Sequence, residues 1–271
     1  MRVSLFLLPH IPLIALKKHL PMLDNISLRD MVFIDIETVS ARPTFDNIVE
    51  EEQKLWEYRI HRYKPDDTEL SDYYHEKAAV YAEFGKAICI SVGFFAAADE
   101  KDGKGEYQFR IKTFSGHDEK NDVLQPFNEL LDKYFSPERY YLCGHNIREF
   151  DIPFLCRRSI INNLKIPRLM DIIDLKPWEV KHLDTMHIWR FGEYRNMTSL
   201  HLICKVLGIE TPKNDMEGKD VGRVYWQEND INRIARYNRA DVVAVAQIIL
   251  RFKRLPLIDT ANQVVWADRE G

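Results

Sequence analysis

Two carboxylates at the end of an apolar stretch are the first residues that could do chemistry. Met31–Ile34 is an apolar run typical of a buried strand, and Asp35 and Glu37 follow it at a spacing of two. On a strand this spacing puts both side chains on one face, about 7 Å apart along the chain. Two like charges at a buried strand end repel each other and resist desolvation, which a divalent cation would compensate. The alternative is a strand end whose acids point into water.

Two later stretches carry further polar side chains. The segment GHNIREFD contains Asn146 and Asp151 and directly follows a short predicted strand, a setting that is also common in structural loops. Tyr237 and Asp241 lie four residues apart in a long predicted helix, so they are neighbours on one helical face, about 6 Å apart. Each stretch alone is weak evidence for a site, but the three in this order form a specific pattern.

The apolar pattern also predicts the elements that position these residues. After the first strand at Met31–Glu37, strands are predicted at Ala87–Phe95, Tyr107–Phe114, Tyr140–Cys143 and Leu183–Ile188, with hairpin-type glycines in the loop Ala98–Gly105. Helices are predicted at Val123–Phe135, Phe154–Ile161, Leu200–Leu207 ended by Gly208, and Asp230–Leu255 capped by Asn229 or Asp230. This succession indicates an α/β fold with a mixed sheet flanked by helices. Ligands in such folds sit near the carboxyl ends of strands, where the first two carboxylates should lie.

A long charged segment separates the first two strands. Residues 46–80 contain apolar side chains at helical spacing, among them Trp56 and Ile60, which indicate one or two amphipathic helices. An insertion of this length is either a functional lid or clamp or a solvated helical decoration. Tyr73 and Tyr74 within it are candidates for contacting an unpaired strand.

Asp-x-Glu at a strand end, Asn-x4-Asp after a later strand and Tyr-x3-Asp on a late helix together resemble the DEDD superfamily of 3′–5′ exonucleases. The chain resembles the tyrosine subclass, because the histidine subclass places a His five residues before the last Asp, where Arg236 stands here. The insertion, the stretch Glu83–Gly93 (EFGKAICISVG) and Asp184-Thr185 resemble one branch, the stand-alone predicted exonucleases related to the proofreading domain of family B DNA polymerases. The resemblance covers about residues 28–255 and implies a ribonuclease H-like fold.

The resemblance implies phosphodiester hydrolysis with two divalent cations, Mg²⁺ or Mn²⁺, which oxygen ligands suit. Asp35 would bridge both cations, and Glu37 and Asp241 would complete the site of the cation that activates water. Asp151 would support the second cation, directly or through water. Tyr237 would orient the attacking water, since a phenol with a pKa near 10 is a poor base at neutral pH.

Neighbouring residues are candidates for substrate contacts. Thr38 adjoins the first motif, and Asn146 either contacts the nucleic-acid end or braces its own loop. Phe150 either stacks on a terminal base or, as the favoured interpretation, is a core aromatic that anchors Asp151. His145 is expected to be structural. Basic residues that could hold backbone phosphates are Arg148, Arg157, Arg158, Lys181, Arg236 and Arg239.

Composition indicates an ordinary globular protein, with 45% hydrophobic and 30% charged residues. The net charge of −4 excludes an overall polyanion-binding character, but residues 1–139 hold 18 Lys and Arg against 25 Asp and Glu, whereas residues 140–271 hold 20 against 17. Basic groups for a phosphate backbone are therefore concentrated in the second half. Four scattered cysteines without Cys-x-x-Cys spacing predict reduced thiols, not a zinc site or a disulfide framework.

The predicted organisation is a peripheral extension at 1–25, an exonuclease domain at 26–258 and a tail at 259–271. The apolar run Val3–Leu16 is interrupted by two prolines and a histidine and lacks a cleavage site, which disfavours secretion and a membrane anchor. Met22 is an alternative start. A cytoplasmic protein without membrane association is expected.

Three functions remain open at this point. The leading prediction is a 3′–5′ exonuclease that acts on single-stranded or frayed DNA ends and releases nucleoside 5′-monophosphates. An exoribonuclease is the second, because the motif residues do not reveal which sugar is recognised. An inactive nucleic-acid-binding module is the third. The presence of all four carboxylates and the tyrosine argues against it, because a site that has lost its activity would be expected to lose one of them. A separate polymerase or repair protein is the expected partner in any proofreading role.

Overall fold

The structure, a computed structural model, describes residues 22–97, 107–193, 197–210, 216–261 and 264–266. The strands in these residues are β1 (Met31–Ser40), β2 (Gly85–Ala97), β3 (Tyr107–Ser115), β4 (Tyr141–Gly144), β5 (Leu183–Asp184) and β6 (Val264–Trp266). They form one sheet in the order β5-β4-β1-β2-β3-β6. The strand that carries the first two carboxylates is therefore an interior strand of the sheet.

The sheet is mixed. β1 pairs antiparallel with β2, which pairs antiparallel with β3, whereas β4 runs parallel to β1 and β5 parallel to β4. β6 adds a parallel edge strand beside β3. Three antiparallel strands followed by two parallel ones, in the order β3-β2-β1-β4-β5, make the ribonuclease H-like topology. The predicted fold class is confirmed.

Helices cover both faces of the sheet. They are α1 (Glu50–Ile60), α2 (Leu70–Lys77), α3 (Gln125–Tyr134), α4 (Asp151–Ile161), α5 (Thr185–Arg190), α6 (Leu200–Val206), the single turn α7 (Val221–Arg223) and α8 (Ile231–Phe252). Side chains of α3 and α4 join Ile34 and Ile36 in one apolar cluster, and α8 joins Phe33 in the cluster on the other face. Gly93 allows α8 to approach the sheet, because a Cβ at this position would lie 2.8 Å from Val242.

The helical insertion after β1 is confirmed and has a small core of its own. Trp56 is fully buried, with its ring 5.4 Å from that of Tyr74 and 5.1 Å from that of Phe84. The backbone N–H of Ala41 donates to the Phe84 carbonyl at 2.7 Å, which fastens the insertion to the end of β1. Tyr73 and Tyr74 are both buried here, so the prediction that they contact an unpaired strand is wrong.

Local hydrogen bonds correct two predicted boundaries and confirm a third. The predicted strand Leu183–Ile188 is wrong beyond Asp184, because the Asp184 carboxylate accepts the N–H groups of Met186 and His187 and starts α5. The predicted helix at Phe154 begins three residues earlier, at Asp151. Asp230, one of the two expected caps, is the N-cap of α8.

Some predictions fall outside the described residues. They are the hairpin loop Ala98–Gly105, residues 1–21 of the N-terminal extension, and residues 262–263 and 267–271 of the tail. In the ranges that the structure describes, none of the helices combines the length and the apolar character needed to span a bilayer.

Candidate active site

β1 places Asp35 and Glu37 on one face of the sheet. Ile34 and Ile36, which alternate with them, belong to the apolar cluster on the opposite face. A β-bulge between Glu37 and Thr38 shifts the pairing with β2 directly after the second carboxylate. Asp35 is half-buried and Glu37 is buried, so both acids lie at the boundary between the core and the surface.

α8 brings a third carboxylate to this position. The helix packs on the sheet through buried side chains such as Val242 and Val245, and Asp241 lies beside them. One carboxylate oxygen from each of Asp35, Glu37 and Asp241 lies within 4.8 Å of the other two. Oxygens this close can be ligands of one small divalent cation.

Asp151 reaches the same region from the loop after β4. β4 pairs with β1 only as far as Phe33, and beyond that point the N–H of Ile36 donates to the Asp151 carboxylate. Asp151 is also the first residue of α4, where the helix dipole favours a negative charge. Its oxygens are not part of the 4.8 Å group, yet its charge raises the pKa of both Asp35 and Glu37.

The four carboxyls have raised pKa values, and burial is the largest cause in each case. The pKa of Asp35 and that of Glu37 lie well above their usual range, and repulsion from Asp151 and Asp241 adds to the effect of burial. The pKa of Asp151 rises to about 7 and that of Asp241 to about 6. A bound divalent cation would favour the ionised form of all four groups, so this donor set fits such an ion.

Tyr237 lies one helical turn before Asp241, as the spacing predicted. Its hydroxyl donates a hydrogen bond to the Asp241 carboxylate. Burial, together with the charges of Asp241 and Glu37, raises the pKa of Tyr237 above its usual range. The phenol therefore stays protonated at neutral pH and can orient a neighbouring group through its hydroxyl.

Asn238 is a site residue that the sequence reasoning missed. It is fully buried, and its Nδ2 donates to Oδ2 of Asp35 at 2.6 Å, while its Oδ1 accepts from the thiol of Cys89. The amide thereby holds the first carboxylate against α8. Its position three residues before Asp241 was the available signal, because residues three apart share a helical face.

Asp184 organises the loop that leads to Asp151. Besides capping α5, its carboxylate accepts the backbone N–H groups of Asn146 at 3.1 Å and Arg148 at 3.2 Å. In the sequence analysis this residue appears only as part of the family resemblance, without a role. An Asp between a strand and a helix is itself an N-cap signal, so the capping part of this role was readable.

Comparison with known proteins shows which family the chain belongs to. Residues 82–257 match the family described as predicted 3′-5′ exonucleases related to the exonuclease domain of PolB. The chain belongs to this family. The predicted family is confirmed. The matched residues include Asp151, Tyr237 and Asp241, whereas Asp35 and Glu37 lie before the matched range.

Two solved structures are similar to this exonuclease-family chain. The family B DNA polymerase of the hyperthermophilic archaeon Pyrobaculum calidifontis aligns with 82% of the chain at 13% identity and a TM-score of 0.49, and the chain spans 24% of that polymerase. The RNase domain of the yeast Pop2 protein aligns with 80% of the chain at 12% identity and a TM-score of 0.35, over 80% of that domain. No curated protein matches the chain.

The substrate-contact candidates of this exonuclease-family chain lie at different places around the carboxylates. Thr38 is half-buried directly after the bulge. Asn146 has a left-handed backbone (φ 62°), and its Oδ1 is buried without a hydrogen-bond partner among the described residues. Phe150 is half-buried against the core with its ring 5.5 Å from that of Phe154. Their roles toward a substrate stay predictions.

Among the basic candidates, the prediction for Arg158 is wrong. Its guanidinium is buried and donates to both carboxylate oxygens of Glu119 and to the Ala82 carbonyl, which leaves it unable to meet a phosphate backbone. Arg157, Lys181 and Arg236 are exposed, and Arg148 and Arg239 are half-buried.

His145 makes the contacts of a structural residue. Its Nε2 donates to the Thr198 carbonyl at 3.0 Å, and its Nδ1 lies 2.9 Å from Oγ1 of Thr185. Burial lowers the pKa of His145, so the ring is neutral at neutral pH, and Oγ1 of Thr185 also donates to the Gly144 carbonyl at 3.2 Å. The imidazole thus ties the loop after β4 to the start of α5.

Proposed function

We propose that this chain is a metal-dependent 3′–5′ exonuclease that removes nucleoside 5′-monophosphates from the 3′ end of DNA. The observation that carries the proposal is the convergence of Asp35, Glu37 and Asp241, with oxygens within 4.8 Å, on the end of a central strand. Membership of a family of predicted 3′-5′ exonucleases supplies the reaction class. The relation of that family to the exonuclease domain of PolB favours DNA over RNA.

The proposed cofactors are two divalent cations, Mg²⁺ or Mn²⁺, because an all-carboxylate donor set selects hard ions. Asp35, Glu37 and Asp241 would hold one ion, and Asp35 and Asp151 would hold the other. Two such ions supply an activated water and neutralise the charge that develops on the leaving 3′-oxygen.

The protein groups around the ions position the reactants. Asn238 fixes one oxygen of Asp35 through a 2.6 Å hydrogen bond, which leaves the other free to act as a ligand. Tyr237 remains protonated and, held by its hydrogen bond to Asp241, orients the attacking water. Asp184 fixes the backbone before Asp151 and thereby its approach to β1.

The test is degradation of 5′-labelled single-stranded DNA and RNA of matching sequence, with Mg²⁺, Mn²⁺ or EDTA. Wild type is compared with Asp35→Ala and with Asp67→Ala, which removes an exposed carboxylate on the insertion. We expect a metal-dependent ladder that shortens from the 3′ end with wild type and Asp67→Ala and is absent with Asp35→Ala. Chromatography of the products should show nucleoside 5′-monophosphates.

Each other outcome has a defined meaning. Faster shortening of the RNA would replace DNA as the substrate and make the chain an exoribonuclease. Wild-type turnover in Asp35→Ala would overturn the carboxylate site. If neither polymer is cut but both bind, the chain is a nucleic-acid-binding module.

A further inference from the structure

Two of the most exposed large apolar side chains lie on segments joined to the loop that carries Asp151. Trp178 lies between α4 and β5 and is 78% exposed, and Phe191 directly follows α5 and is 90% exposed. Large aromatic rings this exposed have little contact with the protein itself. Rings this exposed are available to a ligand that binds outside the fold.

Both segments are attached to consecutive residues of that loop. Nη2 of Arg148 donates to the carbonyl of Pro177 at 2.5 Å, which holds the residue directly before Trp178. Oε1 of Glu149 lies 2.9 Å from Nε2 of His187 and 3.5 Å from Nη1 of Arg190. The second pair fixes the last turn of α5, immediately before Phe191.

The attachment ties both ring-bearing segments to the loop that carries Asp151. Two residues lie between Arg148 and Asp151 in the chain, so their Cα atoms are at most about 11 Å apart. The backbone of Arg148 is in turn held by Asp184. Both ring-bearing segments are thus linked through this loop to the residue that supplies one carboxylate of the candidate site.

Local structure does not explain the aromatic residue at position 191. Phe191 has a left-handed backbone (φ 46°, ψ 39°), a conformation that Gly and Asn adopt at helix ends and that bulky residues rarely adopt. The ring gains no burial in return, since it is 90% exposed. A bulky ring that is strained and unburied at the end of a helix indicates a contact with a ligand.

One cation beside Trp178 suits a nucleic-acid strand, although the same segment also carries the exposed acids Asp171, Asp174 and Glu179. Nζ of Lys176 lies 5.5 Å from the centroid of the Trp178 ring, so a cation stands beside an aromatic face. The neighbouring acid Glu179 is exposed and accepts the backbone N–H of Lys176 at 2.8 Å. A nucleotide presents both a base that can stack on a ring and a phosphate that can meet an ammonium group.

We propose that Trp178 and Phe191 form a stacking platform for unpaired bases next to the 3′ end of a single-stranded nucleic acid. This inference rests on the proposed exonuclease function and names the substrate form that it selects. A base inside a duplex has no free face, so the platform favours single-stranded or frayed ends over blunt duplex. Stacking is indifferent to sequence because every base has a π-face.

The test compares Trp178→Ala, Phe191→Asn and their combination with wild type. Asn keeps the left-handed backbone of position 191 while removing the ring, so the fold is preserved. Tyr58→Ala removes another exposed ring, 85% exposed on α1, and is the matched control. Trp178→Phe keeps a ring for stacking. Two substrates are used, a single-stranded oligodeoxynucleotide and the p-nitrophenyl ester of thymidine 5′-monophosphate, which has no upstream strand.

We expect KM for the oligodeoxynucleotide to rise roughly fivefold or more on loss of each ring, as one stacked base is lost. The kcat for both substrates and the KM for the ester should stay within about twofold of wild type. Trp178→Phe should recover most of the loss, and Tyr58→Ala should behave as wild type. The preference for single strands over blunt duplex should fall with each ring removed.

An unchanged oligonucleotide KM in the double variant would overturn the platform and leave the rings as a surface for another protein. An equal loss toward the ester would also overturn it, because the rings would then support the carboxylate site itself. If wild type cuts neither substrate, the proposed function fails. Fluorescence anisotropy of the labelled oligonucleotide would then still decide on the rings, since weaker binding by the double variant supports the platform and equal binding refutes it.

Discussion

Two buried charged clusters in this protein differ in what compensates their charge. Glu119 accepts hydrogen bonds from the guanidinium of Arg158, from the N–H of Ala87 at 2.7 Å and from Nδ2 of Asn162 at 2.9 Å. A second guanidinium nitrogen of Arg158 donates to the Ala82 carbonyl at 2.8 Å. This cluster is complete within the chain, and its role is to join α4 to the start of β2 and the turn before α3.

The carboxylate cluster lies on the same sheet and is not complete in this way. Asp35 receives an amide hydrogen bond from Asn238, and Asp241 receives the hydroxyl of Tyr237. These neutral donors leave the raised pKa values in place, about 6 for Asp241. The comparison teaches that the fold pairs the buried charge of one cluster within the chain and leaves like charges together in the other, where under the proposed function a cation would bind.

Among the variants that test the difference between the two clusters, Asp241→Asn should have the largest effect. Loss of a metal-ligand charge should lower the hydrolysis rate about 10³-fold or more, since a bound ion stabilises the transition state by several kcal/mol. In EDTA at pH 8 the same variant should be more stable than wild type, by about 3 kcal/mol at most, because a buried negative charge is removed. Activity assays and thermal unfolding measure the two effects, with the exposed Asp67→Asn as control. A lower Tm for Asp241→Asn would contradict the idea of an uncompensated cluster.

Arg158→Met tests the opposite cluster. It leaves Glu119 buried without its cation, which should reduce the free energy of unfolding by about 3–5 kcal/mol. Arg139→Met breaks the exposed pair with Asp30 and should cost less than about 1 kcal/mol. Denaturant unfolding gives both values, and activity per folded molecule should be unchanged in each variant. If Arg158→Met unfolds like wild type while losing activity, the division between the two clusters is wrong.

The pH dependence of stability in EDTA is the next test. The pKa of Asp151 (about 7) and that of Asp241 (about 6) lie above the ordinary Asp value of 3.8. Between about pH 4 and 7 the folded state therefore binds more protons than the unfolded state, and the contribution of these groups to stability falls as pH rises. Tm measured across this range should fall more steeply in wild type than in Asp151→Asn.

Added Mg²⁺ or Mn²⁺ should raise Tm most at pH 7 and above, where binding displaces the fewest protons. A metal effect that is larger at pH 5 than at pH 8 would contradict the assignment of these carboxylates as ligands.

Tyr237→Phe should have a smaller effect on hydrolysis than Asp241→Asn. Removing the hydroxyl that orients water should lower kcat about 10- to 100-fold with KM unchanged. Because the pKa of Tyr237 is raised, the wild-type kcat profile should show no limb from its ionisation at neutral pH. Steady-state kinetics decide the matter. A variant with normal kcat and a raised KM would make Tyr237 a substrate-holding residue.

Local patterns determined much of the framework from the sequence alone. The apolar run before Asp35 predicted a buried strand. The spacing of two between Asp35 and Glu37 predicted that both acids share one face, and Ile36 lies on the opposite face as expected. Asp230 was readable as the cap of α8, and the spacing of Tyr237 and Asp241 placed them on one helical face. These features depend on neighbours within a few residues, which a sequence shows directly.

Other local signals were misleading because a helix cap or a distant partner overrides them. The apolar residues after Asp184 read as a continuing strand, yet its carboxylate caps a helix. Arg158 was a candidate for holding a backbone phosphate. In the folded chain α4 meets Glu119, and the guanidinium of Arg158 is buried in an ion pair with it. Tyr73 and Tyr74 were candidates for contacting an unpaired strand, but they pack on Trp56.

By itself, the sequence determined which residue types are available for phosphodiester chemistry and which strand and helix carry them. Tertiary structure decided that Asp241 lies within 4.8 Å of Asp35 and Glu37, and that Asn238, from the same helix, fixes Asp35. The physical reason is that these contacts join β1 to α8, about two hundred residues apart in the chain, through packing that no local pattern encodes. Only the folded sheet with α8 across it brings the charges close enough to raise one another's pKa and to form a place for cations.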